Sequence, residues 1–245
     1  MNVRARSNQW ELLQSINPDI ALLQEWRKPS GFSTDGYVYS QEYLPGRHTA
    51  LWSKWPLQDV NTYPQAAEIL WEPYHAALEG CIVSAAVLTP IGLLSATSVY
   101  AYPVALKPHQ YTGFDAEALR LPSSKSVWPA DLIWWAFKDW ASSAERTILG
   151  GDWNTSRVLD EPKPRGNQEF FQRMENSGWV EIARKFYPEE KDVTTWYRKK
   201  ARPMQLDHFF VSSDLSSSTV KFEVLRNNLF DQASDHFPIC IDLKL

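Results

Sequence analysis

Strand-like and helix-like segments alternate along this 245-residue chain, and antiparallel hairpins stand among them, which predicts an α/β or α+β sandwich and excludes an all-α bundle. The hairpins show as β-rich runs paired around Pro45-Gly46 and around Thr89-Pro90-Ile91-Gly92. No Gly/Ser run, charge block or repeat interrupts the chain and the 16 prolines are scattered, so a single domain over 1–245 is expected.

Each element has a local reason. Trp10, Leu12, Leu13 and Ile16 recur at helical spacing between Ser7, a capping residue, and Asn17-Pro18, which stops the turn; a short amphipathic helix over 7–16 follows. The apolar run 19–25 suits a strand buried on both faces and ending in Glu25. Segments 36–43 and 49–54 read as strands joined through Pro45-Gly46, with His48 on the turn in solvent. Segments 76–88 and 93–102 form the clearest hairpin, with Tyr100 near the end of its second arm. The polar, proline-punctuated stretch 104–130 lacks periodicity and reads as a functional or mobile loop, a candidate for substrate specificity.

A helix over 131–144 delivers the chain to a strand at 146–149, and a second helical region over 168–186 breaks around Gly178. The β-like run 193–197 precedes the basic loop Arg198-Lys199-Lys200-Ala201-Arg202, a phosphate-sized patch of cations, and then a strand at 205–211. Strands at 219–225 and 239–243 close the chain, the last entered through Ser234-Asp235-His236-Phe237-Pro238.

Composition narrows the function. With 44% hydrophobic residues the core can be large, and a net charge of −4 argues against a broad basic face for duplex nucleic acid while leaving room for a local patch. Cys81 and Cys240 lie in apolar runs and read as core residues. The start Met-Asn-Val-Arg-Ala-Arg has no apolar leader, so a reducing, cytoplasmic setting is expected. No stretch approaches the ~18 apolar residues of a membrane helix, so no membrane span is expected. No protein partner is indicated. The 12 tryptophans read first as core and second as a stacking surface.

Chemistry concentrates at strand ends. In Gly150-Gly151-Asp152-Trp153-Asn154 the glycines let the chain turn, and Asp152 and Asn154, two apart, share a face. Alone this is ordinary turn chemistry. Glu25, Asp207 and the pair Asp235-His236 stand at three further strand ends, making an oxygen-rich set with one imidazole. Oxygen ligands without a cysteine cluster suit Mg²⁺ or Mn²⁺ over zinc, and such an ion beside a positioned Asp and His suits phosphoester hydrolysis.

The ordered segments Asp-Ile-Ala-Leu-Leu-Gln-Glu, Gly-Asp-Trp-Asn, Leu-Asp-His-Phe-Phe-Val-Ser and Ser-Asp-His-Phe-Pro, with Thr195-Trp196 before the third, resemble the endonuclease/exonuclease/phosphatase superfamily over essentially the whole chain. The resemblance implies a four-layered α/β sandwich of two mixed β-sheets flanked by helices, with the site at one edge. It implies Glu25 as the main metal ligand, with Asp235 and Asn2 in the metal region, and Asp152 orienting or deprotonating water. Asn154 would bond the phosphate, and His236, held by Asp207, would stabilise the charge on its oxygens. Tyr100 falls where the family carries a Tyr or His beside the phosphate, with Tyr102 as a rival.

Two departures from the family pattern stand out. The strand that normally leads into Asn2-Val3 is missing, through a misplaced start or a sheet lacking a strand. Arg4 and Gln205 replace an acidic residue and an Arg found in other members, which touches a second metal position and the phosphate clamp. The leading function is metal-dependent cleavage of DNA or RNA, with Arg198, Lys199 and Lys200 binding substrate. The alternatives are hydrolysis of a small or lipid-linked phosphoester and a catalytically silent binding module.

Overall fold

A computed structural model describes residues 1–3, 9–27, 34–60, 78–190 and 192–244. Strands β1 (Ile20–Trp26), β2 (Tyr37–Leu44) and β3 (Arg47–Ser53) form an antiparallel sheet in the order β1-β3-β2. A larger sheet holds β4 (Leu57–Gln58), β5 (Ile82–Thr89), β6 (Gly92–Tyr100), β7 (Thr147–Asp152), β8 (Val180–Glu181) and β9 (Asp207–Val211) in the order β4-β5-β6-β7-β9-β8. It is mixed, because β6 and β7 run parallel while the other pairs are antiparallel. Strands β10 (Thr219–Val224) and β11 (Ile239–Leu243) make a separate antiparallel ribbon. Where the family pattern carries a leading strand, Asn2 makes a single parallel bridge to Gln24.

Side-chain alternation sets the layers. Leu22 and Leu51 of the small sheet share a core with Val83, Ala85, Ala96, Ile148 and Val211 of the large one. Their neighbours Ala21, Leu23 and Ala50 point the other way, toward Leu13 and Trp10 of helix α1 (Gln9–Ile16). On the far side of the large sheet, Val99, Leu149 and Phe210 pack against helices that follow later in the chain. Helices therefore flank two face-to-face sheets, an α/β sandwich in which the alternating side chains of the central strands β1, β3, β5, β6, β7 and β9 enter two different cores.

The stretch 104–130 departs from its sequence reading. It carries a 3₁₀ turn at Pro108–Tyr111 and helix α2 (Ala116–Leu119), and Leu106, Leu119, Leu121 and Val127 are buried in the outer core. Those four side chains anchor it in the outer core with α3 (Pro129–Phe137) and α4 (Asn167–Asn176), so it is part of the helical layer and not a structureless loop. Gly178 ends α4 at a φ of +97°, after which the chain pairs as β8 and turns into α5 (Ile182–Phe186). Two short helices, α6 (Ser213–Ser218) and α7 (Asn228–Ala233), have no apolar periodicity to announce them.

His48 is not a solvated turn residue: it lies within β3, its ring 6.0 Å from that of Trp26 and its Nδ1 buried without a partner. Cys81 is buried and Cys240 half-buried, and both are free thiols. Among the described residues no helix is long and apolar enough to cross a membrane. The proposed cap Ser7, the start of the 76–88 run and Arg4 lie outside the described residues.

Candidate active site

The C-terminal ends of β1, β6 and β7 meet the start of β9 at one edge of the sheets, around a cleft of about 580 Å³. Gly151 makes this convergence possible. A Cβ there would stand 2.1 Å from the Val99 carbonyl and 2.7 Å from Gln24 Nε2, and its φ of +148° disfavours other residues. Asp152 thus ends β7 directly opposite Asp207 and beside Tyr100. Between the two polar residues of the motif, Trp153 is buried against Phe170 and Phe210 and pins the turn to the core.

Two hydrogen-bonded groups face each other. In the first, Asn2 Nδ2 donates to Asp152 Oδ2 at 3.0 Å and lies 3.4 Å from Glu25 Oε1, while Tyr100 donates its phenol to the same Glu25 oxygen at 3.1 Å. Glu25 adopts a φ of +52° where the β1–β3 register shifts, which aims its side chain into the cleft. In the second, Asp207 Oδ2 lies 2.9 Å from His236 Nδ1, leaving His236 Nε2 3.8 Å from Asp152 Oδ2. The buried Thr195 hydroxyl accepts the backbone N–H of both Leu206 and Asp207 at 3.0 Å, and Trp196 bridges to the His236 backbone.

Burial and charge tune these groups apart. Burial raises the Asp152 carboxyl from 3.8 to about 6, with Asp207 adding to the rise and His236 and Asn2 opposing it. Burial also opposes charge on His236, but Asp207 and Asp152 outweigh it and lift the imidazole to about 9. Burial would raise Asp207 too, yet His236 wins and holds it below its ordinary value. At neutral pH the site therefore offers an ionised acceptor close to its titration point and a charged donor 3.8 Å away, a pairing suited to acid–base work. Tyr100 is pushed well up by burial and by Glu25, so its phenol remains a donor.

The cleft gathers Asn2, Glu25, Tyr100, Asp152, Asn154, Asp235 and His236, with Asp207 buried behind His236. Tyr102 turns instead to the outer core and accepts from Gln110 at 3.4 Å. The basic loop is less free than its sequence suggests. Arg198 pairs with Asp235 at 3.1 Å on the cleft wall, and Arg202 pairs with Glu161 at 2.6 Å. Lys199 and Lys200 are exposed and do not line the cleft. Gln205 faces away from the site, toward Glu181 and His208. One participant was missed: Arg47, after the Pro45-Gly46 turn, reaches Glu25 Oε2 at 3.2 Å. A lone cation on a hairpin opposite an acidic strand end was its only sequence signal.

Two donor sets could take a cation. Asp152, Asp207 and His236 bring ligand atoms within 4.8 Å of one another, but the imidazole there is held protonated and would have to lose its proton first. Glu25, with Asn2 beside it, offers oxygen donors at a carboxylate edge that already attracts the Arg47 guanidinium, and it fits a hard divalent ion better.

Residues 2–236 match the model of the Endonuclease/Exonuclease/phosphatase family. The chain belongs to this family. It is accordingly a phosphoester hydrolase. No curated protein matches the sequence. Among solved structures the APE2 catalytic domain of Xenopus laevis is similar at a TM-score of 0.72 and 19% identity, over 99% of this chain and 90% of that one. An AP endonuclease from Archaeoglobus fulgidus is similar at 0.70 and 17%, over 100% and 96%. The 3′ phosphatase NExo from Neisseria, bound to a product DNA hairpin, is similar at 0.68 and 17%, over 100% and 98%. At these identities the likeness to solved structures is one of fold.

Proposed function

We propose that this family member is a divalent-metal-dependent phosphodiesterase that cleaves nucleic acid, DNA or RNA. The observation that carries the reading is the cleft in which Asp152, lifted to about 6, faces His236, lifted to about 9, with Glu25 joined to Asp152 through Asn2. Asp152 takes the proton of the attacking water, Asn154 and His236 donate to the phosphate oxygens, and Asp207 fixes the His236 ring. A bound Mg²⁺ or Mn²⁺, held by Glu25 with Asn2 and Asp235, would polarise the phosphoryl group and stabilise the leaving oxygen. Beside these polar groups Leu159, Trp196, Met204 and Leu206 form an apolar wall against which a sugar or base can pack. Solved structures of similar fold include AP endonucleases and a phosphatase holding DNA.

A small or lipid-linked phosphoester is the second reading, favoured by the net charge of −4 and by the engagement of Arg198 and Arg202 in ion pairs. A panel of single-stranded DNA, duplex DNA with and without abasic sites, RNA and small phosphoesters, assayed with Mg²⁺ and Mn²⁺, separates the two. Turnover confined to the small esters sinks the nuclease reading.

The free lysines give a sharper test. Neutralising Lys199 and Lys200 together is expected to raise KM for an oligonucleotide and to flatten its salt dependence, each lost phosphate contact removing roughly 0.7 to 0.9 from the slope of log affinity against log salt. A small ester within the cleft should be little affected, because exposed charges beyond ~10 Å are screened at 0.1 M salt. An unchanged oligonucleotide salt slope would leave the loop a solvated face.

Glu25→Gln is expected to raise the Mg²⁺ concentration needed for half-maximal activity about tenfold or more, since it removes the charge of a hard-cation ligand. Arg47→Ala should shift the same curve the other way by freeing a carboxylate edge. Coincident metal titrations for wild type and Glu25→Gln would remove Glu25 from the metal site.

A further inference from the structure

Behind β9, on the face away from the cleft, lies a second set of charges that the proposed chemistry does not use. Asp207 and His208 are adjacent on the strand and so point to opposite faces: Asp207 supports His236, and His208 is buried in the outer layer with 0% exposure. Both ring nitrogens of His208 stand 2.9 Å from acceptors, Nδ1 from Glu181 Oε1 and Nε2 from the Thr155 carbonyl. The Thr155 carbonyl can only accept, which fixes Nε2 as a donor, while Nδ1 faces both Glu181 and, at 3.0 Å, the Gln205 amide nitrogen. Glu181 in turn takes both arms of the Arg157 guanidinium, at 3.2 and 2.5 Å, and that guanidinium lies 3.7 Å over the Phe171 ring. Burial opposes the charge on Glu181, but His208 and Arg157 outweigh it and bring it down to about 2.

All of this converges on one turn. Thr155 follows Asn154, whose φ of +48° is a left-handed conformation that surroundings must impose. Ser156 N–H donates to Asn167 Oδ1 at 3.3 Å, its hydroxyl donates to Asp192, and the Arg157 N–H reaches Asp192 Oδ1 at 3.3 Å. Buried ion pairs add little net stability over apolar packing, but they do fix direction.

We propose that His208, Glu181 and Arg157 form a positioning brace that holds the 154–157 turn from behind and so sets Asn154 toward the substrate phosphate. The inference rests on the phosphodiesterase reading above. None of the three touches the cleft; they act through the Thr155 carbonyl and the Arg157 backbone.

The test is a double-mutant cycle on the full chain, pairing His208→Gln with Asn154→Ala, with kcat and KM measured on an oligonucleotide in Mg²⁺ and foldedness checked by thermal melting. His208→Gln is expected to lower kcat about tenfold with KM nearly unchanged, since misplacements near 1 Å can lower rates up to ~10²-fold. In the Asn154→Ala background the same change should lower kcat less than about twofold, because coupled residues are not additive. Arg157→Lys, which retains the charge on Glu181, should keep most of the activity that Arg157→Met loses, and this pair replaces His208→Gln in the cycle should that variant not fold.

An equal loss in both backgrounds, or unaltered kcat in a folded variant, overturns the brace. Amide exchange of segment 154–157 gives a readout without turnover and is expected to quicken about tenfold in His208→Gln, or in Arg157→Met if that replaces it. If wild type cleaves none of the substrates, the phosphodiesterase reading fails separately, and unchanged exchange in the variant overturns the brace on its own.

Discussion

Asp152→Asn is expected to lower kcat by about two to four orders of magnitude, the range supplied by a positioned general base, while the melting temperature stays near that of wild type. The substitution keeps the side-chain volume and removes a carboxylate that burial already disfavours as an anion, so nothing in the core loses packing. Its pH signature follows. Wild-type kcat should fall on the acid side with a limb near 6, where Asp152 takes up a proton, and the residual activity of Asp152→Asn should lack that limb. The sign for stability is opposite to the usual carboxylate. The folded value is raised above 3.8, so the folded state binds the extra proton and Asp152 favours folding progressively as pH falls from above 6 toward 4. Near-normal turnover would place water activation elsewhere, and a collapsed melting temperature would make Asp152 structural.

His236→Gln is expected to lower kcat about 10²- to 10³-fold, the effect of removing one donor to a developing oxyanion. It should also erase an alkaline limb near 9, where wild-type His236 loses the proton it offers to the phosphate. The folded value is raised above 6.5, so the stability contributed by the His236–Asp207 pair is fully present below pH 6.5 and is lost as pH rises through about 9. Melting curves at pH 6 and pH 9.5 check this. Wild type should lose stability between them by a margin that His236→Gln does not show. A variant that keeps both the limb and the margin would show that another group titrates there.

The succession of the longer strands along the chain, the break at Gly178 and the placement of Glu25, Asp152 and Asp207 near strand ends follow from short-range features of the chain. A period of two marks a strand and the carboxylates stand near strand ends, but the paired glycines Gly150-Gly151 are not the turn expected of them: both lie inside β7, paired with β6 and β9, and the chain turns only after Asp152. Elements without such a pattern stayed hidden. Helix α6, Ser-Asp-Leu-Ser-Ser-Ser, buries only Leu215, and the 104–130 segment is anchored by four scattered apolar residues at no regular spacing.

Partnerships across the chain follow a different logic. Asn2 meets Asp152 across 150 positions, Arg47 pairs with Glu25, Arg198 with Asp235, and His208 with Glu181. The types and local settings of these residues are written in the sequence, because turn chemistry and side-chain alternation act over a few bonds. Which carboxylate each cation or imidazole meets depends on strand register and on the packing of one sheet over another. Only those relations bring groups so distant in the chain within 3.5 Å, and burial in the assembled fold is what then drives Asp152 and His236 to their separate protonation states.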